Sequence, residues 1–349
     1  MGFLGREPVV TPNLDAFSKQ AVTFTHAVSN FPVCSPYRGI LFSGKYPYRN
    51  GVIGNCRSTA GAIGLPEETV TLSDILAERG YSTGYVGKWH LQAPRPGDEL
   101  YGEGPRRDGV VCDYYTPPGR GRHGFDYWYS YGCCDDHNHP HYWTGNAPID
   151  KPIRVDEWST IHETDVAIDY LRNTNGQRDP DEPFALFVAP NPPHMPFSQV
   201  PERYRELYAD TTPEELATWD NLTESGMERI RDDIANYFAM ITGVDDQFGR
   251  LLHALEETGL DESTVVIFTS DHGDLMGSHG LVRKDHWYNE SLLVPFLIRH
   301  PDAVRTGRRD DALLSTVDLF PSILGLLGLA EATPDDLDRS EERRVGKEC

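Results

Sequence analysis

The dominant pattern along the chain is a series of short, nearly continuous apolar runs, each preceded by a stretch of helical periodicity. Residues 71–79 read as a helix that closes at Gly80, and the run 81–86 follows it. The run 184–189 follows a second helix around 163–172, and 264–270 follows a long one over about 227–260, closed by Gly259. Residues 295–299 come next, then a helix around 317–329. Strands apolar on both faces and separated by helices belong to a sheet covered on both sides. The expected class is therefore α/β, with a mostly parallel central sheet flanked by helices. Residues 93–158 break the rhythm. They are rich in Gly, Pro, Tyr, Trp and His with little periodicity, a composition expected of a long functional loop.

Composition narrows the function. At 349 residues the chain suits one large domain or two smaller ones. No apolar stretch is long enough to span a membrane. The net charge of −22, from 32 basic and 54 acidic residues, argues against a nucleic-acid partner. Global charge does not exclude an anionic small-molecule ligand, because a few converging side chains can make one pocket positive. The six cysteines include no Cys-x-x-Cys pair, which excludes a zinc ribbon or a thioredoxin motif and leaves the redox compartment open.

Chemistry-bearing residues cluster directly after the expected strands, where α/β sheets bind ligands. Gly87-Lys88-Trp89-His90 follows the first of the three runs, and Pro190-Asn191-Pro192-Pro193-His194 the second. Asp271-His272-Gly273-Asp274, then Gly277-Ser278-His279-Gly280 and Lys284, follow the third. Near the start stands Cys34-Ser35-Pro36-Tyr37-Arg38. Ser35-Pro36 is a helix-start signal, and the apolar run 40–42 carries that helix to Gly44. Cys34 is thus expected at a helix N-terminus, a place that favours an anion. Each feature alone has a bland explanation: a buried apolar cysteine, a solvated lysine, a histidine in a turn. Their recurrence at consecutive strand ends is harder to explain that way.

Cys-x-Pro-x-Arg, Gly-Lys-Trp-His, Pro-His-x-Pro and Ser-Asp-His-Gly-Asp with its trailing Gly-x-His-Gly and Lys resemble, in order and spacing, the type I sulfatases of the alkaline phosphatase superfamily, over about residues 11–329. That resemblance implies hydrolysis of sulfate monoesters, on a small molecule or a glycan. It implies that a maturase converts Cys34 to formylglycine, whose hydrate is the nucleophile. Residue 34, Asp271 and His272 would be metal ligands, for Ca²⁺ or alternatively Mg²⁺. Arg38 would hold the hydrate, and Lys88 and Lys284 the sulfate oxygens. His194, with Lys284, would protonate the leaving oxygen, and His90 would be the base that restores the aldehyde. His279 is read as structural. The resemblance also implies a periplasmic or secreted location.

Two other functions compete: a phosphonate or phosphate monoester hydrolase of the same superfamily, and a non-catalytic relative that keeps the fold. The aromatic and His-rich residues 127–143 fit a metal site, a sugar-stacking surface or a packed loop equally well. The ends carry expectations of their own. Family members open on an apolar strand ending in two aspartates, and a small C-terminal subdomain closes them. Neither is visible here, so residues 1–338 are expected to be a catalytic domain lacking its first strand, inactive alone. Residues 339–349 match a translated sequencing-library adapter and are expected to be non-native.

Overall fold

The computed structural model describes residues 1–59, 61, 63–94, 112–302 and 307–338. The tail 339–349 lies outside the described residues, as does part of the irregular 93–158 stretch. Among the described residues nine strands form two sheets: β1 Val22–Val28, β2 Ser82–Lys88, β3 Tyr127–Tyr131, β4 His141–Thr144, β5 Ile153–Arg154, β6 Phe184–Ala189, β7 Val266–Thr269, β8 Phe296–Arg299 and β9 Arg308–Ser315. Their orders are β7-β8-β1-β9 and β5-β4-β3-β2-β6.

The α/β class holds, but the expectation of a mostly parallel sheet is corrected: the topology is mixed. β2 runs parallel to β3 and β6, and β1 to β9. The pairs β1–β8, β7–β8, β3–β4 and β4–β5 are antiparallel. The physical reason is that an apolar run carries no direction. A parallel neighbour needs a long crossover, usually a helix. Between β7 and β8 the only helix is the four-residue Asn289–Leu292, and the chain simply turns back. The aromatic segment read as irregular contains β3 and β4, because Trp128, Tyr129, Tyr131, Tyr142 and Trp143 are buried. Aromatic residues packed on both faces give strands with no polar alternation to betray them.

Local chemistry sets the helices that carry the site. Thr71 and Asp74 form a reciprocal capping box at the start of helix Leu72–Glu78, which leads into β2. The long helical stretch is broken into Glu224–Ile230 and Ile234–Glu257. From the latter, buried Asp245 accepts hydrogen bonds from the backbone of Asn13 (3.1 Å) and Leu14 (2.7 Å). It thereby satisfies the exposed amides of helix Pro12–Ser18. Helix Cys34–Ser43 ends at Gly44 in a left-handed conformation. Its Phe42 packs on Trp89 at a 5.2 Å centroid separation and on Phe125 at 5.9 Å. Each such pair adds about 0.5–1.5 kcal/mol beyond the area it buries. This cluster fixes the helix against the end of β2.

β6 and β7 end their respective sheets, and each lacks a strand partner on its outer edge among the described residues. A cavity of about 2110 Å³ lies between them, lined by both strands. Phe248, Leu251 and Leu255 line it from helix Ile234–Glu257, and Leu76, Leu319 and Ile323 from other helices.

Gly87, one residue before Lys88, has φ 103°, and a Cβ there would sit 2.4 Å from the Ala189 carbonyl oxygen. Gly87→Ala is therefore expected to separate β2 from β6. The loss should be on the order of 2 kcal/mol of stability, read as a lowered denaturant midpoint.

Candidate active site

Every residue singled out from sequence as catalytic or metal-binding is brought to one place, around Cys34. Cys34 is the first residue of its helix and 2% exposed. Ser35 is not the cap: Val33 holds that position. The Ser35 hydroxyl instead donates to the His90 carbonyl at 2.6 Å and accepts from the Cys56 amide, tying the helix start to the segment after β2.

Three nitrogens surround the Cys34 sulfur. Lys284 Nζ lies at 3.4 Å, Lys88 Nζ at 3.5 Å and His272 Nε2 at 3.5 Å. Burial alone would raise the Cys34 thiol. Lys284 and Lys88, with hydrogen bonds from His272 and His90, bring it well below the usual range instead. Burial likewise works against the Lys88 charge, but neighbouring thiols, Cys34 among them, raise it above the ordinary lysine value. Lys88 is aimed by Asn191, whose side-chain oxygen accepts from Nζ at 3.0 Å. The Asn191 amide donates to the Cys134 carbonyl at 2.7 Å.

Arg38 is held flat under this cluster. Nη1 donates to the Lys88 carbonyl at 2.6 Å and to the Tyr85 hydroxyl at 3.1 Å, and Nη2 stands 3.5 Å from Asp271 Oδ2. Asp271 keeps its carboxyl below the ordinary range: burial opposes this, and His272 and Arg38 outweigh it.

The three site histidines each have one ring nitrogen committed to a backbone carbonyl, which leaves the other for chemistry. His90 Nε2 lies 3.1 Å from the Cys56 carbonyl, so it carries a proton, which leaves Nδ1 for the interaction with Cys34. His194 Nδ1 lies 2.9 Å from the Met195 carbonyl and 3.1 Å from Asp135 Oδ1, which leaves Nε2 free. Burial and the two lysines lower the His194 pKa, with Asp135 acting the other way. His272 Nδ1 lies 2.8 Å from the Gly273 carbonyl, and its Nε2 faces Cys34 at 3.5 Å and Asp271 at 3.6 Å. One atom each from Cys34, Asp271 and His272 lies within 4.8 Å of the others. With its tautomer fixed by the second ring nitrogen, this set fits a divalent cation.

Asn191 and Asp135 were not singled out from sequence. Asn191 stood unremarked between two prolines after β6, although its place at a strand end was the available signal. Asp135 had none, because its partner His194 is 59 positions away along the chain. His279 stacks on Tyr288 at 3.8 Å and bonds Asn221 of the neighbouring segment.

Comparison with known proteins shows the family. The Sulfatase family model matches residues 1–329. The chain is 40% identical over 336 residues to an endo-4-O-sulfatase of Bacteroides thetaiotaomicron, covering 95% of this chain and 65% of that protein. It is 35% identical over 341 residues to an ulvan-active sulfatase of Formosa agariphila, covering 97% and 60%. The chain therefore spans less than two thirds of the length of these relatives. Among solved structures, the putative sulfatase YidJ from Bacteroides fragilis superposes with a TM-score of 0.90 at 38% identity, covering 99% of this chain and 74% of that one.

The two lysines give a direct expectation. In chelator-treated protein, the pH midpoint for alkylation of Cys34 should lie well below that of a free cysteine. Lys284→Ala removes a cation 3.4 Å away and should raise that midpoint, read by peptide mass spectrometry across pH.

Proposed function

The chain belongs to the sulfatase family, and from that premise we propose that it hydrolyses sulfate monoesters on a carbohydrate, with residue 34 as nucleophile after conversion to formylglycine. The observation that carries this reading is the convergence of Lys88, Lys284 and His272 on one buried atom of residue 34. In the matured protein the oxygens of an aldehyde hydrate replace that sulfur. The hydrate supplies a nucleophile that can later expel sulfate by returning to the aldehyde.

The side chains then take distinct roles. Lys88 and Lys284 bind the sulfate oxygens and offset charge that develops as sulfur is attacked. Arg38, locked to the Lys88 carbonyl and facing Asp271, holds the hydrate. His194, aided by Lys284, gives its Nε2 proton to the leaving alcohol oxygen. Its pKa is low in the free site, and the negative charge of a bound sulfate ester would raise it toward the range useful for an acid. His90, with Nε2 committed to the Cys56 carbonyl, uses Nδ1 to take the proton whose loss frees sulfate and restores the aldehyde. Residue 34, Asp271 and His272 would hold a divalent cation, Ca²⁺ or Mg²⁺, which would supply positive charge beside the nucleophile.

The relatives' names support a polysaccharide substrate, since one is an endo-4-O-sulfatase and another acts on ulvan. The cleft between β6 and β7 supports one further element. Two unpaired strand edges with apolar helix faces on either side have the shape of a seat for an additional strand, consistent with the strand ending in two aspartates that the family resemblance implies. Such a strand would bring carboxylates to Asp271 and His272, which follow β7.

Three outcomes are expected. A synthetic apolar strand ending in two carboxylates should bind the chain and raise its thermal midpoint, whereas absence of binding removes the strand reading. With maturase and strand supplied, aryl sulfate should be turned over in preference to aryl phosphate. His194→Ala should cost about 10²–10⁴-fold on an alkyl sulfate and far less on a nitrophenyl sulfate, whose leaving group needs no proton. Preference for the phosphate would replace the substrate class, and inactivity on both would favour a binding protein.

A further inference from the structure

A second cluster of metal-ligating side chains lies behind the site, on the loops that flank β3 and β4. Asp113, Cys134 and His141 are 2%, 3% and 4% exposed, and one atom from each lies within 4.8 Å of the others. His141 Nε2 is 2.8 Å from Asp113 Oδ2, and His141 Nδ1 is 3.9 Å from Cys134 Sγ. The ordinary explanation would be a buried Asp–His hydrogen bond. Yet neither His141 Nε2 nor Asp113 Oδ2 completes one despite their closeness, because the carboxylate lies off the ring's N–H direction. Two buried polar atoms left unpaired at this distance are costly unless something else satisfies them.

We propose that Asp113, Cys134 and His141 form a second metal site, of the class that takes Zn²⁺. A thiolate, an imidazole nitrogen and a carboxylate oxygen are a zinc donor set, in contrast to the oxygen-rich shell a hard cation prefers. The supporting contacts suit this role. Asp113 Oδ1 accepts from the amides of Gly132 (2.7 Å) and Cys133 (3.0 Å), which orients Oδ2 toward the other two donors. Zinc is ligated by the thiolate, so binding releases the Cys134 thiol proton. The function is to fix the 132–135 loop. From that loop the Cys134 carbonyl holds Asn191, and Asp135 holds His194. The site is independent of the sulfate-ester reading.

Because Cys34, Asp271 and His272 also offer donors, the test uses the full chain carrying Cys34→Ala, stripped with chelator and titrated with Zn²⁺ or Co²⁺. One equivalent should bind, about one proton should be released, and Co²⁺ should give a thiolate charge-transfer band. Cys134→Ser on that background should lose the band and weaken binding at least tenfold. A band that is absent, or that survives Cys134→Ser, overturns the proposal. Should that variant fail to fold, alkylation of Cys134 decides: strong slowing by Zn²⁺ supports the site, and an unchanged rate overturns it.

Discussion

Two lysine ammoniums are held within 3.5 Å of one buried atom, and much of the local structure follows from making that arrangement tolerable. Like charges brought together out of water repel strongly. An anion at the point where they converge relieves the strain, and the Cys34 thiolate serves in the unmodified chain. In a matured protein the same field would act on a sulfate ester. A chain of net charge −22 therefore contains a cationic pocket, because Lys88, Lys284 and Arg38 converge there whatever the sum over the rest of the surface.

The fold keeps those cations in place by making each of them part of the framework. Lys88 is the last residue of β2, a strand buried at every position, and Gly87 lets β2 and β6 approach closely just before it. Arg38 spends two of its hydrogen bonds on the backbone and hydroxyl of that same strand. Asn191 joins Lys88 to the 132–135 loop, and Asp135 in that loop sets the ring of His194. His194, Lys88 and Cys34 are thus linked through the side chains of Asn191 and Asp135. A loosened 132–135 loop would disturb all three, which gives a physical reason for a stabilising metal behind it.

Much of the site was legible in the sequence because each cluster sits at a strand end, a position that apolar runs mark well. Lys88, His194, Asp271 and His272 were found in this way, and the Pro36 and Gly44 signals located the Cys34 helix to within a residue at its start. Strand direction was not legible, since the apolar runs of β7 and β8 look alike in either sense. Nor were β3 and β4, whose alternation is erased by aromatic side chains buried on both faces. Asn191 and Asp135 escaped because their importance lies in contacts across 103 and 59 positions, which local patterns do not record.

The central claim is that residue 34 works as an aldehyde hydrate in a sulfate-binding pocket. Mass spectrometry of the peptide containing residue 34, after co-expression with a formylglycine-generating maturase, tests it most directly. The predicted result is replacement of the thiol by an aldehyde oxygen, in a form that reacts with hydrazide reagents. A thiol that remains unmodified under conditions where a control sulfatase is converted would contradict it.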